Sequence, residues 1–186
     1  MYLTLLEQTV QEMKGEQPVP QIDPEIRLRI EALIPEEHVP DPRQRMNLYK
    51  RLSRASENAE IEQIEQEIVD LYGRPPQEVS NLLQVMRIRL AMKECMILRL
   101  DYNDRDLIVT FHPDTPISPE LLVSWARSDP RNVRLVPEDR LMYRIGLVAP
   151  QVRIARCFFL LNALRNKALG DPAFPGAGDF QQAVEK

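Results

Sequence analysis

Along residues 25–145 the spacing of apolar positions changes period several times, and each change marks an element. Ile26, Leu28 and Ile30 alternate with Arg27, Arg29 and Glu31, the two-residue period of a half-buried strand, and Pro35 and Pro40 close it off. Asp41-Pro42-Arg43-Gln44 then reads as a helix start, with Asp41 as cap, Pro42 in the first turn and Gln44 placed to complete a capping box; this helix runs to about Arg54. A second helix over 58–72 turns Ile61, Ile64, Ile68 and Leu71 inward and stops at Gly73-Arg74-Pro75-Pro76. The third, over about 76–94, carries the stripe Val79, Leu82, Leu83, Met86 and Leu90. Short connections imply that the three pack together.

From Ile97 the period returns to two. Residues 97–102 and 106–111 predict a hairpin around Asn103-Asp104-Arg105. Ser118-Pro119-Glu120 starts a further helix with Leu121, Leu122 and Trp125 inward, 132–136 and 140–145 predict two more short strands, and Pro150 opens a long last helix to about 169. Before these elements, residues 1–15 predict an amphipathic helix with Leu3, Leu6, Val10 and Met13 on one stripe and Gly15 as its stop, followed by a Pro-rich linker over 16–24. The uncapped start suggests either a piece of a longer chain or a frayed native terminus. Residues 170–186 read as a flexible tail. The expected class is α+β: a three-helix part packed with a small antiparallel sheet, a further helix and a long C-terminal helix, with the domain over 25–148 and its last helix over 149–169.

Composition narrows the function. A chain of 186 residues allows one good core and excludes a multi-domain enzyme. Net charge of −4 argues against a freestanding nucleic-acid binder, and no stretch is long and apolar enough to span a bilayer. Cys95 and Cys157 sit in apolar helical patterns and read as buried reduced thiols, which fits a cytoplasmic protein. His38 and His112 stand beside prolines in loops, without partners at metal spacing, and read as ordinary exposed histidines. No phosphate-cradling glycine loop, CxxC pair or nucleophile elbow occurs. Asp101, Asp104 and Asp106 bracket the hairpin turn, where aspartate serves the backbone. No catalytic residue, metal or cofactor is therefore assigned to this chain.

Charge is unevenly placed. Residues 43–56 hold Arg43, Arg45, Lys50, Arg51 and Arg54 and no acid, whereas 57–70 hold Glu57, Glu60, Glu62, Glu65, Glu67 and Asp70 and no base. Glu67 and Asp70, three apart, occupy neighbouring turns of one helix face, so a partner presenting arginines can meet both. Two rival readings stand beside this one: a solvated acidic face, and pairing of these acids with Arg43, Arg51 or Arg54 across the helix hairpin.

The run Ile34-Pro35-Glu36-Glu37-His38-Val39-Pro40-Asp41-Pro42-Arg43-Gln44-Arg45, then Leu48-Tyr49-Lys50-Arg51-Leu52, resembles the C-terminal domain of bacterial transcription-repair coupling factors. Glu67-Ile68-Val69-Asp70-Leu71-Tyr72-Gly73, Pro75-Pro76, Asn81-Leu82-Leu83 and the opening Met1-Tyr2-Leu3 continue the pattern over roughly 1–145. Leu71-Tyr72 stand where the family usually has Arg-Phe, and Met96 where a glycine commonly ends the third helix.

The resemblance implies a regulatory domain of an ATP-dependent DNA translocase that releases stalled RNA polymerase and recruits the excision-repair protein UvrA. Residues 1–15 would then be carried over from the preceding translocase region, and ATP and magnesium would belong to motor domains outside this chain. In the family this domain clamps onto an N-terminal UvrA-binding domain of the same protein, and Glu67 and Asp70 match the acidic pair that faces its arginines. Glu67, Asp70, Gln63 and Glu60 are the expected partner-binding residues, with UvrA, RNA polymerase and DNA as indirect partners. The alternative is a freestanding protein-interaction adaptor without catalytic activity.

Overall fold

The computed structural model describes residues 22–138 and 140–169; the helix expected over 1–15, most of the linker and the tail lie outside them. The three expected helices are α1 (Pro42–Arg54), α2 (Asn58–Tyr72) and α3 (Gln77–Glu94). Asp41 caps α1 by accepting from the Arg43 amide at 2.8 Å, with Pro42 in the first turn; Gln44 makes no return bond among the described residues, so the cap is one-way. Leu48 and Leu52 of α1, Ile61, Ile64 and Ile68 of α2, and Val79, Leu82, Leu83 and Leu90 of α3 close a first core, to which the preceding loop adds Ile34 and Val39.

Leu71 does not join that core. It is 64% exposed, because the chain turns away at Gly73 (φ 82°) and Tyr72 takes the last inward place, partly buried beside His38 with ring centroids 6.1 Å apart. His38 is accordingly not an exposed loop residue: its Nε2 is buried without a hydrogen-bond partner among the described residues. His112 is also partly buried, its Nδ1 accepting from the Asp114 amide.

A second core lies between the sheet and α3, α4 (Pro119–Ser128) and α5 (Pro150–Leu169). Five strands run in the order β1-β2-β3-β5-β4: Glu25–Arg27, Ile97–Tyr102, Asp106–Phe111, Arg140–Arg144 and Val133–Val136. The sheet is mixed rather than purely antiparallel, since β1 runs parallel to β2 with Glu25 opposite Arg99. Parallel neighbours require a crossover, and here the whole helical part supplies it between β1 and β2. β1 is also shorter than the alternation predicted, because Arg29 adopts φ 52° and turns the chain out of the sheet, leaving Leu28 to pack in the core.

Leu100 faces Val109, Val109 faces Leu141, and Leu107 faces Tyr143, so one side of the sheet is a continuous apolar surface covered by helices. Cys95 and Cys157 are buried free thiols in this core; desolvation pushes Cys95 up to about 11 and Cys157 higher still, so both stay protonated and inert.

α3 is the wall shared by both cores. Val79, Leu82, Leu83 and Leu90 face the helical core while Ile88, Ala91, Met92 and Cys95 face the sheet, so the single stripe read from the sequence describes one of its two buried faces. α5 is fastened to the start of the domain by buried Arg153. Its guanidinium donates to the carbonyls of Leu28, Arg29 and Val148 and lies 4.0 Å from the Tyr102 ring centroid. Phe158 is buried, and the half-exposed Phe159 stacks on Tyr143 with centroids 6.2 Å apart.

Candidate protein-interaction face on the second helix

Glu60, Gln63, Glu67 and Asp70 fall at i, i+3, i+7 and i+10 of α2, within an arc of about 80° on a helix of 3.6 residues per turn. This arc is offset from the Ile61-Ile64-Ile68 stripe, which anchors α2 against α1 and α3 and thereby fixes the direction in which the acids point. The four residues are not equivalent. Glu60 accepts from the Ser56 amide at 2.8 Å and so serves the start of its own helix. Glu67 is held by Arg51 of α1: Nη1 lies 2.9 Å from Oε1 and 2.7 Å from Oε2, with both side chains 39% exposed. The side chains of Gln63 and Asp70 are exposed and make no hydrogen bond or ion pair among the described residues.

Intramolecular pairing takes some of these acids and not others. Arg51 reaches Glu67, whereas the exposed Arg43 side chain makes no ion pair among the described residues. A further pair was not anticipated: Arg87 of α3, only 12% exposed, reaches Glu65 at 2.6 Å. Composition hid it because Arg87 lies outside the basic stretch, and only the packing of α3 against α2 brings the two together. The missed apolar neighbour of the face is Leu71, which borders the arc on the side of the inward stripe; Val69, 43% exposed, lies on a different side of the helix. The sequence signal for Leu71 was its position one turn beyond the inward stripe, at the helix end.

Several residues that carry the sequence pattern build the platform behind this face. The Tyr49 hydroxyl accepts from the Ile34 amide at 2.7 Å, Arg45 donates to the Val39 and Pro40 carbonyls at 2.7 and 3.0 Å, and Asn81 donates to the Glu31 carbonyl at 2.9 Å. They lock the loop before α1 onto the helices, and that loop supplies Ile34 and Val39 to the core.

The acidic side chains of the hairpin have basic neighbours within the chain. Asn103 Oδ1 accepts from the Arg105 and Asp106 amides, Asp104 pairs with Arg29, and Asp101 and Asp106 lie 4.0 and 3.7 Å from Arg99 and Arg144. Among the described residues no group of three or more His, Cys, Asp or Glu is placed to hold a metal ion, and no helix is long and apolar enough to cross a membrane.

The family model of the TRCF domain matches residues 28–122, the stretch from the end of β1 through the helical part and hairpin into α4. The chain belongs to the TRCF domain family. A transcription-repair-coupling factor of Myxococcus xanthus is 34% identical to this TRCF domain over 151 residues, covering 81% of the chain and 12% of the relative. That of Escherichia coli (strain K12) is 28% identical over 159 residues, covering 83% and 14%. This TRCF domain therefore spans about an eighth of the length of the curated relatives it matches. The solved C-terminal domain of a transcription-repair coupling factor shares its fold, with a TM-score of 0.70 at 16% identity over 81% of this chain and 97% of that one.

Proposed function

We propose that this TRCF domain is the regulatory C-terminal part of a transcription-repair coupling factor, an ATP-dependent DNA translocase that displaces stalled RNA polymerase and recruits nucleotide excision repair. It acts by clamping onto the N-terminal UvrA-binding region of the same protein through the α2 face. The observation that carries this reading is the pairing pattern on α2: Glu65 and Glu67 are engaged by arginines of this chain, while Asp70 and Gln63 are left open beside exposed Leu71. Such a face offers charge and a small apolar anchor without a large sticky patch, which suits a contact that must open. A tether supplies an effective concentration up to about the millimolar range, so weak charge pairs hold a closed state that a few kcal/mol of competing binding releases.

The test is charge reversal in the full-length protein, Glu67→Arg with Asp70→Arg. UvrA binding and basal ATPase rise together while the circular dichroism of the isolated domain is unchanged. Wild-type values for both activities reject the clamp.

A further inference from the structure

The loop after β3, the start of α4 and the β4–β5 hairpin enclose a groove of about 450 Å³. Its lining includes Phe111, Ile117 and Leu122, and Val123 and Leu135 are 37% and 40% exposed along it. β4 is the outermost strand, so this side of the sheet ends without a neighbour among the described residues. An apolar groove of this size beside an open sheet edge is suited to an extended apolar segment.

The last helix ends near the groove. α5 runs from the Tyr102–Gly146 end of the sheet, where Arg153 is anchored, to the opposite end, where Arg165 pairs with Glu94 at 3.2 Å. The adjacent Cys95 carbonyl accepts from Thr115 Oγ1 at 2.8 Å, and Thr115 is itself part of the groove. From Arg165 the helix continues about one turn, roughly 6 Å, to Leu169. The chain therefore leaves α5 at the end of the molecule where the groove lies. Beyond it stands Asp171-Pro-Ala-Phe-Pro-Gly-Ala-Gly-Asp-Phe180, whose two large apolar side chains are Phe174 and Phe180. Extended chain brings Phe174 up to about 17 Å and Phe180 up to about 37 Å from Leu169.

We propose that residues 171–180 of this chain occupy the groove, seating Phe174 and Phe180 against Ile117, Leu122, Val123 and Leu135. The contact covers the apolar edge beside β4 and is separate from the α2 face, so it stands whether or not that face clamps a partner.

Paramagnetic relaxation in the full chain tests it. In Ala177→Cys, a nitroxide reagent couples selectively to the new thiol because Cys95 and Cys157 are buried and protonated. The amides of Thr115, Val123 and Leu135 broaden, those of Gln63 and Asp70 do not, and Val123→Arg or the pair Phe174→Ser and Phe180→Ser reduces the groove broadening at least fivefold. Val123 is already exposed, so its arginine variant keeps the fold, which the unchanged amides of the helical core verify. Groove amides that stay sharp overturn the proposal, as does broadening that survives all three substitutions. Broadening that appears when labelled chain is mixed with isotope-enriched unlabelled chain assigns the groove to a second copy and overturns it equally.

Discussion

The two cores of this domain are secured differently. The helical core buries a neutral polar side chain, Asn81, while the Arg51–Glu67 pair at its edge remains substantially open to water. The sheet core has a cation within it: Arg153 is buried, satisfies three carbonyls and faces an aromatic ring. Peripheral pairs exchange partners at little cost, whereas a buried cation with fixed acceptors does not. The difference places the adaptable surface on the helical half and the permanent fastening on the sheet half. α3 joins them, since one helix contributes to both cores.

Arg153→Met breaks the comparison most severely. Methionine retains the apolar stem but leaves the Leu28, Arg29 and Val148 carbonyls without their donor, the first of these bonds being buried and the other two part-buried. Stability falls by about 3 kcal/mol or more, given the usual cost of buried carbonyls left unpaired. Urea unfolding measures it, and hydrogen exchange places the earliest loss at β1 and α5. A loss under about 1 kcal/mol would mean that water or a neighbouring donor replaces the guanidinium.

The helices, the hairpin and their order were legible because local spacing encodes them: the Ile61-Ile64-Ile68 stripe, the Asp41-Pro42 start and the Asn103 turn all act within a few residues. The mixed character of the sheet was not, because it depends on where a chain segment returns after a long crossover. Arg153 reads as a surface residue in one dimension, since its acceptors lie 124 and 125 residues away at Arg29 and Leu28. On the candidate face, Glu67, Asp70, Gln63 and Glu60 were named together, yet sequence alone did not separate the residues already engaged from those left open. That distinction is set by the reach of Arg51 from α1 to Glu67 and of the Ser56 amide to Glu60.

Met96 sharpens the comparison at the junction of the two halves. It follows the C-cap Cys95 at φ 50°, its amide donating to the Lys93 carbonyl at 3.1 Å, in the left-handed conformation that a side chain disfavours by about 1–2 kcal/mol. The sequence pattern commonly has glycine here, and the structure supplies the reason. Met96→Gly relieves that strain while losing a partly buried side chain and adding freedom to the unfolded chain. The net expectation is a stabilisation of about 0.5 kcal/mol, read as a small rise in Tm. A drop in Tm of several degrees would show that the methionine packs well enough to outweigh its backbone strain.

The smallest expected effect lies at the α2 face itself. Arg51 and Glu67 are each 39% exposed, so their pairing contributes at most about 1 kcal/mol after solvent screening, and Arg51→Met leaves the fold nearly as stable as before. A double-mutant cycle with Glu67→Gln isolates the coupling from the packing of the arginine stem. The control is Arg87→Met: that arginine is 12% exposed, its pair with Glu65 is better shielded, and its loss costs more. If the Arg51 coupling exceeded that of Arg87, Glu67 would be a structural residue and unavailable to a partner, leaving Asp70 and Gln63 alone to carry the contact. If it is smaller and fades with added salt, Arg51 holds Glu67 only until a better-placed arginine arrives.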